Sequence, residues 1–139
     1  MIKLNAITDY PLYEKRPELI KTQTGKPVDE INIENILSGG ITDADCRISA
    51  DTLEYQAQIE ESAGNQQIAV NFKRAAEMTR IPDERIIEIY NTLRPYVSTK
   101  EELLSIVNEL ENDYDATINA ALIKEAIEVY EERKMFRVD

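Results

Sequence analysis

From Ser49 to Arg133 apolar residues return at spacings of three and four, and this period constrains the fold more than any other property of the chain. Ile86, Ile89, Tyr90 and Leu93 form one such stripe behind Pro82. Leu103, Val107 and Leu110, widened by Leu104, form another. Residues three and four apart share a helix face, so each stripe is predicted to be the buried side of a helix. A further helix is expected to carry Ile68, Phe72, Ala75, Ala76 and Thr79 on one side. After a break at Asp113 to Asp115, the last runs through Ile118, Leu122, Val129 and Tyr130 toward Arg133. Ser49 is placed to cap a helix through Leu53, Ala57 and about Glu60, with Gly64 and Asn65 as its stop. Ser98 and Glu101 have capping-box spacing, and Pro95 ends the helix before them. No strand alternation of useful length occurs, so the expected class is all-α.

The first 48 residues follow a different rule. Pro11, Pro17, Pro27 and Gly25 leave little room for regular structure before Val28. An extended N-terminal arm with short helices is therefore expected over residues 1–48, and a helical bundle over 49–139, in a single domain overall. Tyr10, Leu12, Tyr13, Leu19 and Ile20 are too many apolar side chains for a solvated linker. They are expected to lie on a partner and are the candidate interface residues. Ile33, Ile36 and Leu37 fit a short amphipathic helix ending at Gly39 and Gly40, and Thr42 with Asp45 fits one more capped turn.

Charge and composition exclude several functions. The formal net charge is −11 in 139 residues, a field that repels phosphate backbones and anionic lipid and attracts a basic protein surface. Neither nucleic acid nor membrane is an expected partner. The start of the chain lacks the apolar stretch of a secretory signal, and the one cysteine makes no internal disulfide, so a cytoplasmic location is expected.

There is no His, and Cys46 has no base to generate its thiolate. Asp43, Asp45, Ser49, Asp51 and Glu54 fall on ligand positions of a calcium loop, but Arg47 stands at the fifth position and Ile48 where the turn requires Gly. The four glycines are not spaced as a phosphate loop. Asp113 with Asp115, and Glu131 with Glu132, have no neighbour in sequence that would split their pKa values into acid and base. The residues thus point to no catalytic, cofactor-binding or metal-ligating site. Like charges one turn apart at Glu30 and Glu34, Glu84 and Glu88, Glu109 and Asp113, and Glu128 and Glu132 each cost a few tenths of a kcal/mol in an isolated helix. A basic partner would relieve them. An acidic helical adaptor or regulatory subunit of an unrelated complex satisfies these observations equally well.

Specific strings narrow the choice. DYPL at 9 to 12, TGKP at 24 to 27, NILSG at 35 to 39, TLEYQAQI at 52 to 59, NFKRAAE at 71 to 77, IPDERIIEIYNTLRP at 81 to 95, STKEELL at 98 to 104, and NAALIKEA with VYEERK at 119 to 134 run in order along nearly the whole chain. In this the chain resembles the small, or gamma, subunit of adenosylcobalamin-dependent glycerol and diol dehydratases. The resemblance implies an open three-helix up-and-down bundle with extra N-terminal segments, packed on a large barrel subunit that carries the active site. It implies a heterohexamer with two copies each of large, medium and small subunits, and adenosylcobalamin held between large and medium ones rather than by this chain alone. The implied reaction is radical dehydration of glycerol to 3-hydroxypropionaldehyde or of 1,2-propanediol to propionaldehyde. Many diol-type small subunits carry a longer N-terminal extension linked to packaging in bacterial microcompartments. Only eight residues precede Asp9 here, which argues against packaging through this subunit and, with TLEYQAQI, leans toward glycerol-type relatives.

Overall fold

The structure, a computed structural model, describes residues 1–138. Its regular structure is α-helix and single 3-10 turns, with two isolated bridges, Lys21 to Pro27 and Thr22 to Ile48, and no strand among the described residues. The class is all-α. The chain divides into two units, Met1–Thr79 and the residues from Arg80 onward. The division falls at 79/80 rather than at the expected end of the arm at 48.

The N-terminal unit begins with α1 (Ala6–Asp9) and α2 (Leu12–Lys15), followed by a 3-10 turn at Pro17–Leu19. Asn5 caps α1, its side chain accepting from the amides of Ile7 and Thr8 at 3.0 Å each, while Asp9 Oδ2 accepts from the Asn5 amide at 3.0 Å. Arg16 donates to Asp9 Oδ1 at 3.0 Å and so holds the next turn against the first. Prolines forbid a long helix here but permit single turns. Those turns aim Leu12, and Leu4 before them, at Ile59, with Ala6, Leu19, Ile20 and Tyr55 packed around the three.

Ile59 and Tyr55 belong to α4 (Ala50–Ser62), which Ser49 caps by accepting the Thr52 amide at 3.2 Å. Two further bonds fasten the arm to α4: the Leu4 amide donates to Gln58 Oε1 at 2.7 Å, and the Ala6 amide to Ser62 Oγ at 2.7 Å. The arm therefore lies on its own chain, where the sequence led us to expect a partner.

Between the arm and α4 come a 3-10 turn at Val28–Glu30, α3 (Ile33–Leu37) and a capped turn at Asp43–Cys46. Gly64, at φ 87°, turns the chain from α4 into α5 (Gln66–Met78), a helical hairpin. Ala57 on α4 and Ala69 and Ala76 on α5 are fully or almost fully buried. Small residues let the two helices approach closely. For that reason the buried line of α5 runs through Ala69, Ala76 and Glu77, and Ile68, expected on the buried side, is 46% exposed.

The C-terminal unit consists of α6 (Asp83–Thr92), α7 (Lys100–Asn112) and α8 (Thr117–Arg133) around one core. Leu103 and Leu110 of α7 are its largest fully buried side chains, with Ile81 and Ile89 from the α6 region and Ala120, Ile123 and Ile127 from α8 around them. Each fully buried leucine contributes about 1.5–3 kcal/mol relative to exposure. The capping box sits one residue later than expected, on Thr99 and Glu102: the Glu102 amide donates to Thr99 Oγ1 at 3.2 Å, and the Thr99 amide to Glu102 Oε2 at 3.0 Å. Ser98 is buried instead and its hydroxyl donates to the Thr92 carbonyl at 2.8 Å, closing the end of α6. Arg85 forks onto Glu109, Nε to Oε1 at 2.8 Å and Nη2 to Oε2 at 2.5 Å, tying α6 to α7. Tyr130 on α8 donates its hydroxyl to the Leu93 carbonyl at 2.5 Å.

Candidate functional site

Acidic side chains outnumber basic ones by 27 to 16, and Asp9 and Asp45 are buried. Asp45, the third position of the failed calcium template, is almost completely buried. It accepts from Lys26 Nζ at 2.8 Å, Thr24 Oγ1 at 2.5 Å and the Thr42 amide at 2.8 Å. The Lys26 hydrogen bond, then those from Thr24 and the Thr42 amide, hold its carboxyl well below the usual carboxylate range. Lys26 also donates to the Gly40 carbonyl at 2.7 Å, so the cluster pins the loop from 22 to 45 together. Asp9 is held low in the same manner, first by the Asn5 amide and then by Arg16 and Thr8. These ionised groups close turns, which is why Thr42 and Asp45 read correctly as a cap.

Glu131 is engaged by Lys100 at 2.7 Å, Glu61 by Lys73 at 3.0 Å, and Glu111 by Lys124. No group of three or more His, Cys, Asp or Glu side chains among the described residues is placed to hold a metal ion. Cys46 is exposed at the end of its turn. No helix among the described residues is long and apolar enough to cross a membrane.

Three open grooves of about 330 to 460 Å³ lie within the size range of small-ligand sites. In the first, Gln58 and Ser62 already accept from the backbone of Leu4 and Ala6. In another, between the Ile20 and Ile48 segments, Asp45 is held by Lys26 and Thr24. The groove along α8 is apolar apart from Glu125 and the Tyr130 hydroxyl, which donates to the Leu93 carbonyl. None presents the convergent free polar groups that orient a small substrate.

The structure separates the five candidate interface residues. Leu12 is 7% exposed in the chain's own core, and Leu19 and Ile20 are half-buried against it. Tyr10 and Tyr13 stay outside at 61% and 58%, with the Tyr13 hydroxyl donating to Asp29 at 3.2 Å. Sequence reasoning missed other exposed apolar groups. Ile33 and Leu37 of α3 are 77% and 82% exposed, and Ile87, Tyr90, Leu104, Leu122 and Val129 are exposed in the C-terminal unit. For α3 the available signal was length, since a five-residue helix has too little surface to bury a stripe of its own.

The described residues thus form an all-helical protein whose carboxylates serve as caps and clamps and whose helices display exposed apolar side chains. The chain belongs to the dehydratase small subunit family, whose model matches residues 5–137. It is 52% identical over 133 residues to the propanediol dehydratase small subunit of Citrobacter freundii and 53% identical over 133 residues to that of Salmonella typhimurium. In both cases the match covers 96% of this chain and 77% of the relative.

Proposed function

We propose that this chain is the non-catalytic small subunit of a dehydratase that removes water from 1,2-propanediol, giving propionaldehyde, and from glycerol, giving 3-hydroxypropionaldehyde. What carries the reading is identity above one half along 96% of the chain to two propanediol dehydratase small subunits. Family membership favours it over the unrelated acidic adaptor. Both relatives are named for propanediol, so that diol is placed first, ahead of glycerol. The partners proposed are large and medium subunits, two copies of each with two of this chain, in the cytoplasm.

Adenosylcobalamin is the cofactor proposed for the assembly, where it supplies the radical that starts dehydration. The residues of this chain do not fit it. The three grooves are open and lack a set of free polar groups for the amide-fringed ring. The cofactor is accordingly assigned to the other subunits. The test is an aldehyde-release assay with 1,2-propanediol and adenosylcobalamin. The isolated chain should be silent, and the large and medium subunits with this chain should turn over. Turnover by the isolated chain would contradict the reading.

A further inference from the structure

The groove along α8 has a chemistry that selects its occupant. Leu122, Ala126 and Val129 project from one side of α8 at helical spacing, and Leu93 at the end of α6 forms the opposite wall. Leu122 is 46% and Val129 39% exposed, although both belong to the stripe that the sequence reads as buried. Tyr90, one turn before Leu93, is 71% exposed. Ala126 between two larger residues leaves a notch in which a helix can approach closely. Along the outer edge stand Glu125, Glu128 and Glu132, again three and four apart and all exposed. None of the three has an ion pair or hydrogen bond among the described residues, unlike Glu131 beside them, which holds Lys100. An apolar strip edged by three unneutralised carboxylates has a definite complement.

Two occupants are disfavoured by the same observations. A small molecule would find one carboxylate and the Tyr130 hydroxyl, which already donates to the Leu93 carbonyl, too few polar groups to orient it. A second copy of this chain would bring its own acidic edge and a net charge of −11 against the first. We infer that the groove between α6 and α8 receives an apolar helix of another dehydratase subunit, with Lys or Arg along the edge that faces Glu125, Glu128 and Glu132. This is the helix-in-groove mode of recognition, in which apolar anchors supply affinity and charges set register and encounter rate. The inference rests on the proposed role as a subunit and adds the surface through which that role is exercised.

The test uses the full chain co-expressed with the large and medium subunits, the large one tagged, with the amount of small subunit recovered as the readout. Two variants are compared: Leu122→Asp with Val129→Asp, and Glu125→Lys with Glu128→Lys and Glu132→Lys. Both should keep wild-type helicity by circular dichroism, and both should lose recovery by about tenfold or more. Raising salt from about 0.05 to 0.5 M should weaken wild-type association but not the residual association of the charge-reversed variant. If the wild-type chain fails to associate at all, the subunit reading itself falls. Should the wild type associate and the charge-reversed chain be recovered equally well, the groove assignment is overturned, and this decides the matter even where the aspartate variant misfolds. A wild-type chain that dimerises alone and is made monomeric by the aspartate pair would overturn it too, in favour of a second copy.

Discussion

Leu103 is fully buried at the centre of the C-terminal unit, so its truncation leaves a cavity that neighbours cannot readily fill. Leu103→Ala should lower unfolding free energy by about 2–5 kcal/mol in a urea titration, whereas Leu104→Ala, at a 46% exposed position, should cost well under half of that. Asp45 makes a prediction of the opposite kind, about conditions rather than volume. Its folded pKa lies below the ordinary value of 3.8, so the ionised form is favoured by folding. That contribution is complete above the unfolded pKa and is lost as pH falls below about 4 toward the folded value. Asp9 acts in the same direction. Thermal unfolding should therefore be nearly level from about pH 7 to 5 and drop below about pH 4. Asp45→Asn should be less stable than the parent at neutral pH and show a smaller acid-dependent drop; an equal drop in the two proteins would remove Asp45 from the account. Caps are the residues that sequence reads best, because one side chain and one amide suffice. Ser49 was legible for that reason. At Ser98 the reading slipped by a residue because Ser98 and Thr99 both offer a hydroxyl and Glu101 and Glu102 both offer a carboxylate. Only the tertiary bond from Ser98 to the Thr92 carbonyl decides between them.

The elements differ in how far their burial could be foreseen. Helices α6 and α7 form where periodicity places them, with Ile86, Ile89, Leu93, Leu103, Val107 and Leu110 facing one core, while Tyr90 and Leu104 at the edges of the two stripes are exposed. Helix α5 is turned partly away from the expected side: Ala76 is buried and Phe72, Ala75 and Thr79 half-buried as expected, but close packing in a hairpin favours Ala69 over the bulkier Ile68, and periodicity alone does not weigh residue size. The arm is the largest departure. Its prolines do exclude a long helix, yet they do not prevent single turns, and Leu4 and Leu12 find Ile59 nearby. The reading could not supply that target, because Ile59 is more than forty residues away in sequence. An arm that belongs to the small subunit's own core has a measurable consequence. Leu12→Ala should destabilise the isolated chain by about 2–5 kcal/mol in urea unfolding, while Tyr10→Ala and Tyr13→Ala, at exposed positions, should shift it by less than about 1 kcal/mol. Comparable small losses for all three would return Leu12 to a partner surface.

At the scale of the whole molecule, the net charge of −11 and the exposed apolar groups pull in different directions for a free protein and in the same direction for a subunit. A net charge of this size opposes self-association of the free chain, and on the proposed reading the apolar surface supplies affinity for another subunit. The all-α class was legible in the period of three and four. The exposed docking surface was not, because a stripe reads the same whether its own chain or another covers it. Whether this chain works as part of a dehydratase is measured directly by co-purification with a tagged large subunit. Large, medium and small chains should be recovered together in equal molar amounts, with aldehyde release from 1,2-propanediol in the same fraction. Recovery of a fully active enzyme of large and medium subunits, with this chain left in the unbound fraction, would contradict the proposed role.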